Sequence, residues 1–340
     1  MIDVDADYRG KVTYPNLAIM KLSAWHKSLG DDVEWHTIGT HYDRVYLSKV
    51  FSDEYTQERV PFIDADEIFR GGSGYAITVE NGREVHHPEY DKPLPYEVDH
   101  IMPDYGIYGI TDHAYGFLTK GCPRQCDFCH VKSMQGIRSH TVARLSEFWD
   151  GQKYIDIFDP NILACPDWKI HFQDLIDCKS YVEFNQGLDI RMLTEEKVEM
   201  LNSIKYNSIH FAWDRPEEDL REKFRLVKDK LKRNRRQLLS CYILTNSGST
   251  HQQDVDRVEF IKSMDIQPYV MVYRQNTAPK ETMQLKRYAN NPFVCWGTPT
   301  FADYKASARS NRFGKTGIKF KEATTIDSLR NGGADERVDL

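Results

Sequence analysis

The sequence predicts an α/β protein whose larger part is built on parallel strands. From residue 114 onward, apolar and β-branched segments of strand length recur, and stretches with helical spacing of apolar residues separate the later ones. Six consecutive strand–helix units imply parallel strands joined by right-handed crossovers. The predicted strands are Ala114–Thr119, Tyr154–Asp159, Tyr181–Asn185, Ser208–Trp213, Ser240–Thr245 and Gln267–Tyr273.

Helix signals between these strands favour the same class. Thr194 is a suitable N-cap for a helix carrying Leu201, and Pro216 fits the first turn of the next helix. The basic run 220–237 fits either a contact with a phosphate backbone or the solvated face of an outer helix, and its apolar spacing favours the solvated face. Residues 293–296 are either a further strand or a lid.

A second, smaller α/β pattern occupies the amino-terminal part. Residues 2–5 favour a short strand, Asn16 is a good N-cap for a helix, and two more strands are expected at 33–35 and 44–48. The chain then reaches the glycine-rich stretch 71–74, which is consistent with a tight turn and equally with a ligand contact. This order of elements indicates a small parallel unit.

Two segments carry little regular pattern. Residues 88–113 contain Pro88, Pro93, Pro95 and Pro103 and are expected to form an extended linker, because proline disfavours a helix interior and restricts the residue before it. Residues 324–340 are polar and are expected to be frayed.

Composition predicts a soluble, cytoplasmic chain with two domains. The chain has 340 residues, of which 40% are apolar and 28% are charged, and its net charge of −6 argues against a general nucleic-acid-binding surface. The amino terminus lacks the pattern of a signal peptide, and no apolar run reaches the roughly 20 residues of a membrane span. The scattered cysteines, expected to be buried free thiols, are Cys165, Cys178, Cys241 and Cys295.

The stretch 121–130 carries the most specific chemical signal. Cys122, Cys126 and Cys129 stand at spacing C-x₃-C-x₂-C, and three thiolates can hold three irons of a [4Fe–4S] cluster while the fourth iron stays open. A zinc site and a disulfide are the alternatives. A closed zinc site needs a fourth ligand, and the nearest candidate, His130, adjoins Cys129, whereas a disulfide needs an oxidising compartment.

The cysteine spacing, with Phe128 directly before the third cysteine, resembles the signature of radical S-adenosylmethionine (radical SAM) enzymes. Residues 114–301 resemble the partial (β/α)₆ barrel of the TIM type that forms the core of that family. Residues 1–87 resemble the small Rossmann-like domain found in its cobalamin-binding group. The resemblance implies a linker at 88–113 and a carboxyl-terminal extension at 302–340.

The resemblance also implies where SAM is bound. The working site of a parallel barrel lies at the carboxyl ends of its strands. Asp159 and Asn161 match the segment that approaches the methionyl amino group in the family, although Asp159-Pro160-Asn161 stands here in place of the usual Gly-Gly-Glu. The candidates for the other contacts are Gln186, Arg191 and Asp214 for ribose and carboxylate, the backbone around Leu244 and Asn246 for adenine, and Phe128 beside the cluster.

The function implied is that of an oxygen-sensitive radical SAM enzyme. Its reduced cluster cleaves SAM to methionine and a 5′-deoxyadenosyl radical, which abstracts hydrogen from an unidentified small molecule, nucleotide or peptide. The family implies a flavodoxin- or ferredoxin-type electron donor. The alternatives are a cobalamin-dependent radical SAM methyltransferase and a non-enzymatic iron–sulfur or zinc-binding protein.

Cobalamin itself is not expected. The D-x-H-x-x-G pattern that ligates the vitamin is absent, and the amino-terminal domain is short. Its loops also carry the large or charged residues Tyr8, Arg9 and Lys11, where a broad planar ring would need a close approach to the backbone.

Overall fold

The computed structural model describes residues 1–12, 14–60, 62–80, 83–234 and 237–305. The chain divides into two compact units, the first covering Met1–Ile110 and the second beginning at Thr111, so the division falls within the predicted linker. Segment 324–340 and most of the extension predicted at 302–340 lie outside the described residues. Every helix in the described ranges is too short or too polar to span a bilayer.

The first unit is built on a small parallel sheet followed by an antiparallel hairpin. The sheet strands, in spatial order, are β1 (Ile2–Asp3), β2 (His41–Ser48) and β3 (Asp64–Gly71), and the hairpin strands are β4 (Ile77–Glu80) and β5 (Arg83–His86). The helices are α1 (Val4–Arg9), α2 (Leu17–Ser28), α3 (Ser73–Ala76) and α4 (Tyr96–Asp99), with 3₁₀ turns at Pro88–Tyr90 and Tyr105–Tyr108.

Side-chain caps explain where the first helices begin. The Asn16 side-chain oxygen accepts hydrogen bonds from the backbone N–H groups of Ala18 and Ile19, which confirms the predicted cap of α2. The strand predicted at 2–5 stops at Asp3, because the Asp3 carboxylate accepts from the Ala6 N–H at 3.1 Å and so starts α1. The strand predicted at 33–35 is wrong, since those residues form no strand.

The predicted linker contains short helices rather than continuous extended chain. Pro88 is the first residue of a 3₁₀ turn, and Pro95 is the N-cap of α4. The expectation of extended chain was wrong because proline is tolerated in the first turn of a helix, where its missing N–H would have no intrahelical partner.

The glycine-rich stretch is a tight turn packed on a neighbouring strand end. Gly72 has φ of 96°, and a Cβ there would lie 2.4 Å from the Lys49 carbonyl oxygen. A Cβ on Gly74 would lie 2.3 Å from the Phe51 carbonyl oxygen. The Gly74 N–H donates to the Lys49 carbonyl at 2.9 Å, so close backbone packing accounts for both glycines.

The second unit is organised around parallel strands. Its strands are β6 (His113–Gly116), β7 (Thr119–Lys120), β8 (His140–Thr141), β9 (Tyr154–Ile157), β10 (Tyr181–Phe184), β11 (Lys205–Tyr206), β12 (Ser208–Ala212), β13 (Leu238–Thr245) and β14 (Gln267–Val272). Within the described residues, one parallel sheet has the order β11, β10, β9, β6 and another the order β12, β13, β14. An isolated parallel bridge between Leu188 and Phe211 connects the end of β10 to β12.

These pairings confirm the predicted α/β class, and each strand predicted after residue 113 has a counterpart. The helices of this unit are α5 (Val131–Met134), α6 (Trp168–Asp177), α7 (Glu195–Leu201), α8 (Arg221–Lys230), α9 (His251–Ser263), α10 (Lys280–Ala289) and α11 (Pro292–Gly297). Its 3₁₀ turns are Leu145–Glu147, Ile162–Ala164, Ile190–Met192, Gln275–Thr277 and Phe301–Asp303. Closure of the strands into a partial barrel stays a prediction.

Helices cover one face of these strands with apolar side chains. Phe172 of α6 lies 6.2 Å from Phe184 of β10, and Phe224 of α8 meets Phe211 of β12 edge-on at 6.2 Å, measured between ring centroids. Full burial of each phenylalanine contributes about 1.5–3 kcal/mol to folding. The apolar face of α8 is therefore the buried one, as its spacing indicated.

Two helix boundaries differ from the prediction. Thr194 caps α7 as expected, but α8 begins at Arg221 rather than at Pro216. Residues 292–297 form α11 instead of a strand, because the Asn291 side chain accepts from the Val294 N–H and Pro292 occupies the first turn. The strand predicted at 293–296 is therefore wrong, and the alternative of a lid stays a prediction.

Candidate functional site

A loop with a closed base presents the three cysteines. The cysteine loop, residues 121–139, leaves from β7 and returns into β8, and these two strands pair antiparallel with Lys120 opposite His140. Just inside this base, the Cys122 N–H donates to the Gly136 carbonyl at 3.1 Å. Because the loop follows β6, it lies at the carboxyl end of a parallel strand, where ligands of α/β proteins bind.

Gly121 is required by the backbone at the start of the loop. Its φ is 83°, and a Cβ there would lie 2.2 Å from the carbonyl oxygen of Arg138, near the returning end of the loop. The Gly121 N–H also donates to the Gln135 side chain at 3.2 Å. Only glycine permits this close approach of the two ends of the loop.

Asp159 supports the segment that enters the loop. One carboxylate oxygen accepts from the Leu118 N–H at 2.7 Å, and the other accepts from the N–H and the hydroxyl of Thr119 at 2.8 and 2.6 Å. The side chain is buried, and burial raises the pKa of Asp159 to about 7 against the opposing effect of these donors. The Asp159 side chain, which was predicted to contact SAM, therefore holds the entrance of the cysteine loop in this structure.

The three cysteines of the loop are free thiols and half-buried. Burial raises the pKa of Cys126 and of Cys129, and the nearby Asp214 carboxylate adds to the increase at Cys126. Cysteine nucleophiles have the opposite character, because a lowered pKa makes the thiolate available. Cys126 and Cys129 therefore do not have the lowered pKa of a cysteine nucleophile.

Asn161 connects the cysteine loop to the next strand end. Its amide nitrogen donates to the Cys122 sulfur at 3.5 Å and to Asp189 at 3.0 Å, and its backbone carbonyl accepts from the Ser139 hydroxyl at 2.9 Å. The residue is 2% exposed, yet its side-chain oxygen has no hydrogen-bond partner among the described residues. A buried acceptor without a partner is costly, and a ligand donor would satisfy it.

Asp189 is the centre of a charged network beside the cysteines. Its carboxylate accepts from Arg124 of the cysteine loop at 2.8 Å and from the Arg191 Nε at 2.6 Å. Arg191 also donates to Glu218 at 2.9 Å. The two arginines lower the pKa of Asp189 despite its burial. The network fixes the cysteine loop to the ends of β10 and β12.

Asp214 follows β12 and lies close to both Cys126 and Cys129. Burial raises the pKa of Asp214, while Arg191 and Arg257 act in the opposite direction. The Arg257 guanidinium donates to the backbone carbonyls of Trp213 at 2.6 Å and Leu244 at 2.9 Å. Arg257 therefore braces the adjacent ends of β12 and β13.

The remaining predicted SAM contacts differ in their exposure and in the hydrogen bonds that they already make. Phe128 is 41% exposed, and Gln186 is exposed at the end of β10. The Leu244 carbonyl already accepts from Arg257, and the Asn246 amide donates to the Tyr273 carbonyl at 2.7 Å. Asn246 has a positive φ of 58°, so it shapes the turn after β13.

Sequence reasoning brought Asn161, Arg191 and Asp214 to the cysteines but missed four supporting residues, which are Arg124, Asp189, Glu218 and Arg257. Asp189 stands two positions before Arg191, in the strand-end segment that supplies the predicted contacts Gln186 and Arg191. Its acidic side chain between two candidate polar residues was the available signal. The partners Arg124 and Asp189 are 65 residues apart, and spacing along the chain does not predict such a pair.

A single metal ion and an iron–sulfur cluster make different demands on this loop. Within the described ranges, no three His, Cys, Asp or Glu side chains converge on a point that could hold one metal ion. A zinc site needs such convergence. Three thiolates that bind three different irons of a [4Fe–4S] cluster do not share one point.

Comparison with known proteins gives similarity at the level of structure. No family model matches the chain, and no curated protein matches it in sequence. It is similar to the radical S-adenosylmethionine methyltransferase TsrM from Kitasatospora setae with cobalamin and a [4Fe–4S] cluster bound, at 11% identity and a TM-score of 0.46 over 68% of this chain. The TsrM structure with tryptophan substrate and the SAM analogue aza-SAM gives 13% and 0.48 over 74%.

Both structures are of a radical SAM enzyme. The described chain spans 64% of the length of each of them. At these identities and TM-scores, the similarity assigns neither a substrate nor a reaction to this chain.

Proposed function

We propose that this chain is a radical SAM enzyme in which Cys122, Cys126 and Cys129 hold a [4Fe–4S] cluster. One observation carries the proposal: three free thiols share a loop at the carboxyl end of a parallel strand, beside the buried and unsatisfied side-chain oxygen of Asn161. The loop offers three thiolates and no fourth cysteine, which suits a cluster with one open iron. The partial barrel and the Rossmann-like first unit are part of this proposal.

The residues around the loop fit SAM at the open iron. The methionyl part of SAM carries an amino group and a carboxylate. Near the cysteines, Asp214 offers an acceptor for the amino N–H groups and Arg191 offers a positive charge for the carboxylate. The Asn161 side-chain oxygen offers a second acceptor for an amino N–H. When bound, the cluster would supply one electron to the sulfonium of SAM, breaking its C–S bond to give methionine and a 5′-deoxyadenosyl radical that would abstract hydrogen from the substrate.

The chain's own residues position these groups. Asp189 and Glu218 fix the Arg191 guanidinium from two sides, which limits its rotation and presents one geometry to a carboxylate. Asn161 donates to the Cys122 sulfur, and hydrogen bonds to a thiolate influence the reduction potential of a cluster. The reduced state is expected to be reached through a flavodoxin- or ferredoxin-type donor in the cytoplasm.

The proposal is tested by anaerobic reconstitution with iron and sulfide. We expect about 4 iron atoms per chain and a [4Fe–4S] signal in EPR after reduction. Replacing all three loop cysteines by Ala should abolish both, whereas Cys165→Ala and Cys178→Ala are matched controls that should retain them. A cluster that survives the triple substitution would contradict the proposal, and about 8 irons per chain would indicate a second cluster.

SAM chemistry separates an enzyme from a non-enzymatic iron–sulfur protein. The reconstituted chain should convert SAM to 5′-deoxyadenosine, slowly in the absence of substrate. Arg191→Ala and Asp214→Ala should each weaken SAM binding by about 1.5–3 kcal/mol, because charge-assisted contacts are among the stronger ones. Unchanged SAM affinity in both variants would show that the cofactor contacts lie elsewhere.

The role of cobalamin is open to a direct test. We propose hydrogen abstraction without the vitamin, since close backbone packing accounts for the glycines at 72 and 74. The full chain is incubated with hydroxocobalamin, excess is removed, and the visible spectrum is recorded. Stoichiometric retention of the corrin bands would favour the cobalamin-dependent methyltransferase instead.

A further inference from the structure

The strands of the second unit have a second face, which is polar and aromatic. Val182 and Phe184 of β10 are buried on the helix-covered side, so Tyr181 and Glu183 point to the opposite side. We call this opposite side the polar face and define it by Tyr154, Asp156, Tyr181, Glu183, His210 and Tyr242. A parallel sheet covered on both faces is normally apolar throughout, so this composition indicates a surface that meets something other than a helix.

Two carboxyl groups face each other at the centre of the polar face. Asp156 of β9 and Glu183 of β10 are direct register partners on neighbouring parallel strands. Asp156 accepts from the Asn185 amide at 3.0 Å, and Glu183 accepts from the Ser208 hydroxyl and lies 3.2 Å from the His210 ring. Among the described residues, neither carboxyl group has a Lys or Arg partner.

This pair lacks a Lys or Arg counter-charge among the described residues, and its basic neighbours are two imidazoles: His210 beside Glu183, and His113, which stacks on Tyr154 on the same face. Like charges placed directly opposite each other on neighbouring strands are destabilising. Burial, and to a smaller extent the neighbouring Glu183, raise the pKa of Asp156, while the Asn185 amide and His113 act in the opposite direction. A local arrangement that costs stability, such as two neighbouring carboxyl groups, is expected at functional sites.

Aromatic rings stand on both sides of the carboxyl pair. On one side, the rings of Tyr154 and Tyr181 lie 5.8 Å apart, and on the other Tyr242 lies 5.5 Å from His210. Glu183 is close enough to Tyr242 to contribute to its raised pKa, so the face is continuous across the two sheets. At its edge, the Lys153 ammonium already lies over the Tyr154 ring at 5.0 Å. Aromatic rings and carboxylates both attract cations.

We propose that the polar face binds the substrate and that the substrate is an organic cation, a small molecule with a protonated amine beside an apolar or aromatic body. Asp156 and Glu183 supply the counter-charge, and the tyrosine rings supply the walls. A metal ion is a poorer fit, because no three ligands converge in the described residues. A phosphorylated ligand is disfavoured by the carboxyl pair. The role of this cation as the substrate rests on the proposed function, whereas its binding to the polar face does not.

The test uses 2-phenylethylamine as the probe and 3-phenylpropanoate as a control of similar size and opposite charge. Isothermal titration calorimetry is performed on the full chain after anaerobic reconstitution. We expect saturable binding of the amine that is at least about tenfold tighter than binding of the carboxylate. Equal affinities, or no saturable binding of the amine, would overturn the inference.

Variants locate the binding surface. Glu183→Gln should weaken amine binding by about tenfold, because it removes the charge and keeps the shape. Glu199→Gln on the exposed side of α7 is the matched control and should leave binding unchanged. Circular dichroism checks that each variant folds. If Glu183→Gln does not fold, amine binding is measured on Asp156→Asn in its place, with the same expected weakening. Wild-type affinity in the folded variant would overturn the inference.

Iron content separates this inference from the proposed function. A chain that binds the amine but takes up no iron would contradict the cluster and leave the cation surface intact. A chain with a full cluster that binds no amine would contradict the cation surface alone. Cys126→Ala should lose iron and retain amine binding, since the polar face lies outside the cysteine loop.

Discussion

The cysteine loop of the second unit and the glycine turn of the first unit meet the same backbone constraint in different ways. In both, a glycine with positive φ lies against a carbonyl oxygen, at Gly121 beside Arg138 and at Gly72 beside Lys49. The cysteine loop adds three thiols, a buried amide and a charged network, whereas the glycine turn adds an ion pair between Arg70 and Glu58 and another between the buried Lys49 and the exposed Asp53. A glycine with positive φ therefore indicates close backbone packing, whereas the chemical groups around it indicate whether the turn is a candidate functional site.

The largest expected effect comes from alanine at the two glycines. Gly121→Ala and Gly72→Ala should each destabilise their own unit by about 2–4 kcal/mol, because each combines a left-handed backbone with a clash against a carbonyl oxygen. Only Gly121→Ala should also reduce iron uptake. Chemical denaturation and iron analysis measure the two effects.

Gly136→Ala is the control for this pair. It has φ of 90° in the same cysteine loop, but a Cβ there would meet nothing within 4 Å. We therefore expect a cost of about 1–2 kcal/mol from backbone strain alone. Loss of iron in Gly72→Ala, or normal iron and stability in Gly121→Ala, would break the comparison between the two loops.

The charged network should matter more than the ion pair of the glycine turn. Asp189→Asn leaves Arg124 and Arg191 without their shared carboxylate, and the Asp189 side chain is only 6% exposed, so we expect a loss of about 3 kcal/mol. Glu58→Gln removes a pair in which Arg70 is 44% exposed and should cost about 1 kcal/mol or less. Urea denaturation compares the two, and similar losses would show that burial does not distinguish them.

The two loops should also respond to pH with opposite sign. Burial raises the pKa of Asp159 from 3.8 to about 7, so its contribution to stability is full below about pH 4 and is lost as pH rises through 7. The hydrogen bond from Arg70 lowers the pKa of Glu58 below 4.5, so its contribution is present above pH 4.5 and is lost as pH falls further.

Hydrogen exchange, corrected for its intrinsic pH dependence, measures this difference. Between pH 5 and 8, protection should decrease at 118–141 and stay constant at 70–76. Asp159→Asn is the control, because it should remove the decrease. A wild-type chain whose protection at 118–141 does not change with pH would contradict the assignment.

The parallel architecture could be predicted because periodicity and caps act locally. Thr194 and Asn16 cap their helices as the sequence indicates, and the strand positions follow from short apolar runs. The failures also have local causes. Around 33–35, the backbone groups of Glu34 and His36 exchange two hydrogen bonds with Met1, next to β1, which is too short a contact to make a strand, and the Trp35 indole N–H donates to the Ile107 carbonyl. At 292–297, Asn291 and Pro292 start a helix, whereas a strand was one of the two structures predicted there.

The site could be predicted only in part, because its chemistry and its support have different ranges along the chain. The cysteines lie within eight residues of one another, so their spacing is visible in the sequence. The partners that fix them come from distant strand ends, as the contacts of Asp189 with Arg124 and of Arg191 with Glu218 show. The polar face likewise depends on the register that places Asp156 opposite Glu183.

The short ladder between β7 and β8 has a consequence for when the proposed cluster could be acquired. Closing a flexible loop costs entropy that changes by only about 0.6 kcal/mol for each doubling of its length, so the main cost is closure itself. Here the polypeptide closes the loop during folding, so the proposed cluster would enter a ring that already exists. Zinc fingers behave differently, because they fold only when the metal binds. We therefore expect this chain to fold first, to receive its cluster afterwards, and to keep its shape when oxygen destroys the cluster.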